Sequence, residues 1–265
     1  MRTQSAIFSM ACSALFMLSA SASAAIYTYG DFTSTSVKFV GVTESSGTDN
    51  RPLYGQPVVS ADSLVFNPVS FNSLAVGAGG SDITDGTLTY DLCGLDGAWI
   101  DDIRFTERGD VTLAGFGTNR TFATANASFF LDIIEVDNVS IDPISVSGNL
   151  NFTTPSGGDF DLATDGGGGP VFQQIWAGNV NFDLDSILVD NKIIFQRGVT
   201  KVRISVDNTL TTGSEAGTRA FIAKKSFINV NTTAVPEAST LMLLSMAGIG
   251  SVTFGLIKRS GRRAG

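Results

Sequence analysis

Histidine is missing from the 265-residue chain, which excludes Ser-His-Asp and Cys-His catalysis from the outset. Charge is also scarce, at 16% of residues, and basic charge scarcest: 17 Lys+Arg stand against 25 Asp+Glu, for a net charge of −8. A nucleic-acid or anionic-lipid partner needs a basic face, so this balance argues against both. Disorder is disfavoured as well, because hydrophobic residues reach 43%. With 29 Gly, that composition suits an exported β-rich domain.

The two ends read as addresses. Arg2 precedes an apolar stretch from Ala6 to Leu18, and small residues follow through Ala22-Ser23-Ala24-Ala25. This is the order of a secretory signal peptide spanning 1–24, with the A-x-A step at Ala22 and Ala24 directing signal peptidase to cut before Ala25. At the far end, Val235-Pro236-Glu237-Ala238-Ser239-Thr240 leads into 17 uncharged residues, 241–257, and then Lys258, Arg259, Arg262 and Arg263. Such a run is at the lower limit for a transmembrane helix. The basic stop holds its own side in the cytoplasm, so the chain before 241 is expected outside, where the leader also sends it.

This tripartite tail resembles the PEP-CTERM sorting signal, a short Pro-Glu-Pro motif, an apolar helix and an Arg-rich end that an exosortase reads. The resemblance covers 235–263, with motif 235–240, helix 241–257 and basic tail 258–263; Ala238 stands where the motif usually has its second proline. It implies a Gram-negative host, transient anchoring in the inner membrane, removal of the tail, and release to the cell surface or a polysaccharide matrix. A permanent single-span anchor is the alternative that hydropathy leaves open.

Between the addresses lies a body, 25–234, long enough for one sizeable core. With Arg2, the four basic residues of the tail and Glu237 set aside, it keeps 12 basic and 24 acidic residues. Period-two alternation at Leu88, Tyr90 and Leu92, at Ile103 and Phe105, and at Val202, Ile204 and Val206 predicts half-buried strands. Further strands are expected at 37–42, 63–66, 70–76, 111–116, 129–136, 144–152, 171–176, 180–184 and 192–196. Turn clusters, among them 77–82, Asp85-Gly86, 155–158 and 165–170, punctuate them. The expectation is all-β: one antiparallel β-sandwich or jelly-roll-like domain, with Phe filling the space between its sheets. Cys12 leaves with the leader, so Cys93 has no disulfide partner within the chain and reads as a small core hydrophobe.

Signals for chemistry are weak. Glu44, Glu107, Glu135 and Glu215 are the glutamates from which a sugar-hydrolysing carboxylate pair could be drawn, and no spacing singles one out. The Gly-rich acidic turns Asp82-Ile83-Thr84-Asp85-Gly86, Asp96 with Asp101 and Asp102, and Asp159-Phe160-Asp161 offer oxygen ligands for a structural calcium, though none matches an EF-hand. Otherwise no cofactor is expected. Trp99 and Trp176 would serve as sugar platforms if exposed, but burial is expected for both. Lys224 and Lys225 read as a solvated edge that discourages sheet-to-sheet pairing. The reading is a non-enzymatic exported surface or matrix protein associated with exopolysaccharide and processed by an exosortase-type enzyme. The alternative is a carbohydrate-binding module that uses calcium.

Overall fold

The structure, a computed structural model, describes residues 25–95 and 97–235, with the backbone alone for 226–235. The expected leader, with Ala22 and Ala24, lies outside the described residues, and so does the tail from Pro236 through Glu237, Ala238, Ser239 and Thr240 to Lys258, Arg259, Arg262 and Arg263.

The body is all-β. Its strands are β1 (Ala25–Thr33), β2 (Val37–Ser46), β3 (Val58–Ser60), β4 (Ser63–Val65), β5 (Asn72–Val76), β6 (Gly80–Gly94) and β7 (Trp99–Ala114), then β8 (Phe122–Val136), β9 (Val139–Asn149), β10 (Asn151–Phe152), β11 (Asp159–Asp161) and β12 (Val171–Asp183). A short helix, α1 (Leu184–Asp190), precedes β13 (Val199–Ser214) and β14 (Arg219–Val235). All the strands join one 14-stranded antiparallel sheet with two distinct runs. One run is β1-β2-β6-β13-β8-β9. The other is β10-β12-β7-β14, with β4-β3 and β5 pairing along the free side of β14. β13 meets β7 at Val199↔Ile100.

Strict alternation builds the core. On β6, Thr84, Gly86, Leu88, Tyr90 and Leu92 turn inward; on β7, Ile103, Phe105, Glu107, Gly109, Val111 and Leu113; on β13, Val202, Ile204, Val206, Asn208 and Leu210. Phe105 of β7 and Phe129 of β8 bring their ring centroids within 4.6 Å, so side chains of both runs share one interior. Burying each such Phe or Leu contributes about 2 kcal/mol. α1 is too short to stand alone and is held by burial of Leu184 and Leu188 and by Asp183, whose carboxylate accepts from Ser186 N at 2.8 Å.

Three expectations change. Asp85-Gly86 is no turn but the middle of β6, where Gly86 faces inward and a Cβ would come within 3.0 Å of both Leu53 and Phe71. Cys93 follows the inward Leu92 and therefore takes the outer phase of β6, half-buried rather than in the core. The segment 192–196 forms no strand. Its continuation is bound by a carboxylate instead of a neighbouring strand: Asp137 accepts from Gln196 N (2.7 Å), Arg197 N (2.8 Å) and Gly198 N (3.1 Å). Asp137 and Asn138 have φ of 52° and 62°, the two-residue primed turn that closes the β8–β9 hairpin.

Burial pushes the Asp137 carboxyl up, but those three backbone donors outweigh it and hold its pKa below the ordinary value. Its stabilisation is therefore present above the unfolded pKa of about 4 and lost as pH falls through the lower folded value. Asp137→Asn keeps the αL turn and removes the charge; urea denaturation should show a loss of about 1 kcal/mol at pH 7, solvent exposure of the site keeping it small. The gap between variant and parent should close in acid.

Candidate functional site

The four glutamates are put to separate uses. Glu44, 1% exposed, accepts from Leu53 N, from Gly55 N at 3.2 Å and from the Tyr29 hydroxyl at 2.5 Å, so it pins the loop after β2. Burial, followed by that carboxylate, pushes the Tyr29 phenol far up. Glu135 accepts from Thr200 Oγ1 at 2.8 Å. Glu215 accepts from Thr118 N and, at 3.4 Å, from Thr121 Oγ1, tying the β13–β14 turn to the start of β8. No hydrogen bond among the described residues joins two of these carboxylates.

Glu107 is different. It sits on the inward face of β7, 1% exposed, and its Oε2 accepts from Lys224 Nζ at 2.6 Å. Lys224 is therefore not the solvated edge residue that its sequence position suggests. β14 is flanked by β7 on one side and by β4 and β5 on the other, and alternation from Ala220 and Ile222 turns Lys224 into the core. Lys225 takes the outer phase, where its ammonium meets Asp110 at 2.6 Å.

The ammonium of Lys224 also donates to Oδ1 of Asn208 on β13, across the core. Asn208 Nδ2 donates to the Tyr54 hydroxyl at 3.0 Å, and Tyr54 in turn donates to Gly86 O at 2.6 Å. Phe71 and Tyr54 place their rings 5.0 and 5.9 Å from Lys224 Nζ, within cation–π range. Burial pushes the Lys224 pKa down against the opposing pull of Glu107, and burial and Glu107 together push Tyr54 well up. Glu107 Oε1 is buried without a hydrogen-bond partner among the described residues. The result is a buried constellation of a carboxylate, an amine and an amide.

The sequence held a signal for this site. Extending the inward phase from Phe105 reaches Glu107, from Val206 reaches Asn208, and from Ile222 reaches Lys224. Three polar side chains on core phases ask for one another as partners, because each alone would be an unsatisfied buried group.

Elsewhere the expected ligands are engaged locally. Asp82 Oδ2 accepts from Leu74 N, Asp85 Oδ1 from Thr209 Oγ1, and Asp161 Oδ1 from Thr164 N. Asp101 gathers near Asp102, Asp183 and Asp185, and burial, then the Asp185 charge, raises its pKa. Asp96 lies outside the described residues, and among these no group of three or more Asp, Glu or Cys is placed to hold a metal ion. Trp176 is 1% exposed, its ring edge-on to Phe152, and offers no face to a sugar; Trp99 is half-buried.

No protein-family model matches the chain, and neither does any curated protein. Among solved structures, the infectious bursal disease virus Gt strain is similar at 13% identity and TM-score 0.12, over 73% of this chain and 50% of that one. The VP2 subviral particle of the same virus gives 13% identity and TM-score 0.13 over 86% and 64%. The chain thus spans half to under two-thirds of these viral chains, and likeness at such TM-scores carries no argument.

Close packing beside the constellation is testable. A Cβ on Gly109 would fall 2.0 Å from Ala223 O and 2.4 Å from the Trp176 ring, both fixed by the sheet. Gly109→Ala should therefore lower stability by about 1–3 kcal/mol in thermal or urea unfolding, whereas Gly47→Ala, with open space around it, should change little.

Proposed function

We propose that this protein is a non-enzymatic component of the bacterial cell surface or extracellular matrix, exported by a signal peptide and sorted through a PEP-CTERM tail by an exosortase-type enzyme. Its two strand runs form a single β-sandwich body at 25–234, held in the inner membrane by 241–257 until the tail is removed. The observation that carries this reading is the tail itself: motif, apolar run and basic stop, in that order, at 235–263. The last strand supports it, since β14 pairs with β7 as far as Val235↔Trp99 and the motif begins at that residue.

Association with exopolysaccharide is part of the proposal and rests on the resemblance. The carbohydrate-binding alternative that would use Trp176 as a platform is disfavoured by that ring's burial. An acidic body with 24 acidic and 12 basic residues fits a matrix in which proteins must stay soluble and apart.

The test is intact-mass spectrometry on inner-membrane and surface fractions from the native host. A surface form starting near Ala25 and ending near Val235 is expected, together with retention of the full tail in the membrane for a Pro236→Ala/Glu237→Ala variant. A surface form that still carries 241–263, or equal processing of the variant, would overturn the reading.

A further inference from the structure

We propose that Lys224 and Asn208 join covalently, through a side-chain amide formed within the folded core with Glu107 as the proton carrier. The argument begins with placement. Lys224, Asn208 and Glu107 are each 1% exposed, the ammonium touches both the Glu107 carboxylate, at 2.6 Å, and the Asn208 amide oxygen, and the amide nitrogen is held at its far side by Tyr54. The reacting groups lie on different strand runs, so only the folded protein assembles them.

A primary amide is a poor electrophile and an ammonium is no nucleophile, so each must be altered. Burial favours the uncharged amine, and the carboxylate next to it can accept the proton; the pKa of Lys224 is displaced in that direction. Once neutral, the Glu107 carboxyl can donate to the amide oxygen as negative charge develops there. Its second oxygen, buried and unpartnered among the described residues, is free for the later proton transfer. Fixed proximity of this kind is equivalent to about 10⁵–10⁸ M of added reactant, and the apolar wall of Phe71 and Tyr54 excludes the water that would otherwise compete.

The step balances without any other reactant. A bond forms between Lys224 Nζ and Asn208 Cγ while the Cγ–Nδ2 bond breaks. Of the three ammonium protons, one passes to Glu107, one remains on the new amide nitrogen and one leaves with Nδ2 as ammonia. A buried ion pair is thereby replaced by a neutral carboxyl and a neutral amide, which removes the cost of holding separated charges in the core. Loss of ammonia to solvent makes the step irreversible. The product ties β13 to β14, and so one strand run to the other, in a body whose Cys93 is a free thiol and forms no cross-link. The inference is independent of the sorting proposal, because the chemistry needs only the folded body.

The full chain, expressed and purified, should be denatured and digested with trypsin. Peptides 204–219 and 220–225 should be recovered joined, uncut after Lys224, at their summed mass less one ammonia, about 17 Da. Fragmentation should place the link at Asn208 and Lys224. Glu107→Gln should yield the two segments unlinked, with cleavage after Lys224 restored. Should that variant fail to fold, the digest of the native chain still decides. Asn208→Asp gives a second check, since its link must lose water instead of ammonia. Free, unmodified 204–219 from the native chain would overturn the proposal, as would an ammonia loss confined to that peptide, the mark of a succinimide. Linking in Glu107→Gln as complete as in the native chain would remove the role given to Glu107.

Discussion

One buried polar cluster governs how this body holds together: the Lys224 ammonium between the Glu107 carboxylate and the Asn208 amide. Moving each charge from water into a core costs several kcal/mol, and attraction between them offsets that only when geometry is tight. The three strands that carry these residues must therefore keep their register to within one residue, since a slip by one would turn each side chain outward and leave its partners bare. Apolar packing alone tolerates exchange among similar side chains, whereas this cluster accepts one arrangement. Tyr54 extends the same constraint to β6 through Gly86, and with it to the loop that Glu44 holds from the other side.

Carboxylates perform the remaining irregular work. Glu44 and Asp137 each gather backbone N–H groups, and Glu215 takes one, from loops that have no neighbouring strand to satisfy them. A chain of mainly long antiparallel strands leaves few such donors, and acidic side chains at loop margins supply acceptors without needing a helix or a metal. That is one physical use for an acidic composition in a domain where no carboxylate pair is assembled by hydrogen bonding among the described residues.

Glycine plays two unlike parts. In the turns it gives freedom, but at Gly86 and Gly109 it gives nearness, letting Leu53 and Phe71 in one place and Trp176 in the other approach the backbone. Reading Asp85-Gly86 as a turn failed because the dipeptide looks identical in both roles. What separates them is whether an aromatic ring arrives from a distant segment.

The amino-acid sequence by itself determined the strand class and much of the core, because period two is written locally: Leu88, Tyr90 and Leu92, or Val202, Ile204 and Val206, need no partner to declare their face. The leader and tail proposed at the two ends rest on linear pattern alone and lie outside the described residues. Lys224 and the 192–196 segment show what the sequence could not determine. Lys224 looks like a surface lysine until β7, β4 and β5 enclose β14, and the 192–196 backbone looks like a strand until the Asp137 carboxylate captures the N–H groups of Gln196 and the two residues after it. Burial and hydrogen-bond partnership depend on which distant strands come to lie alongside, and that choice exists only in the tertiary structure.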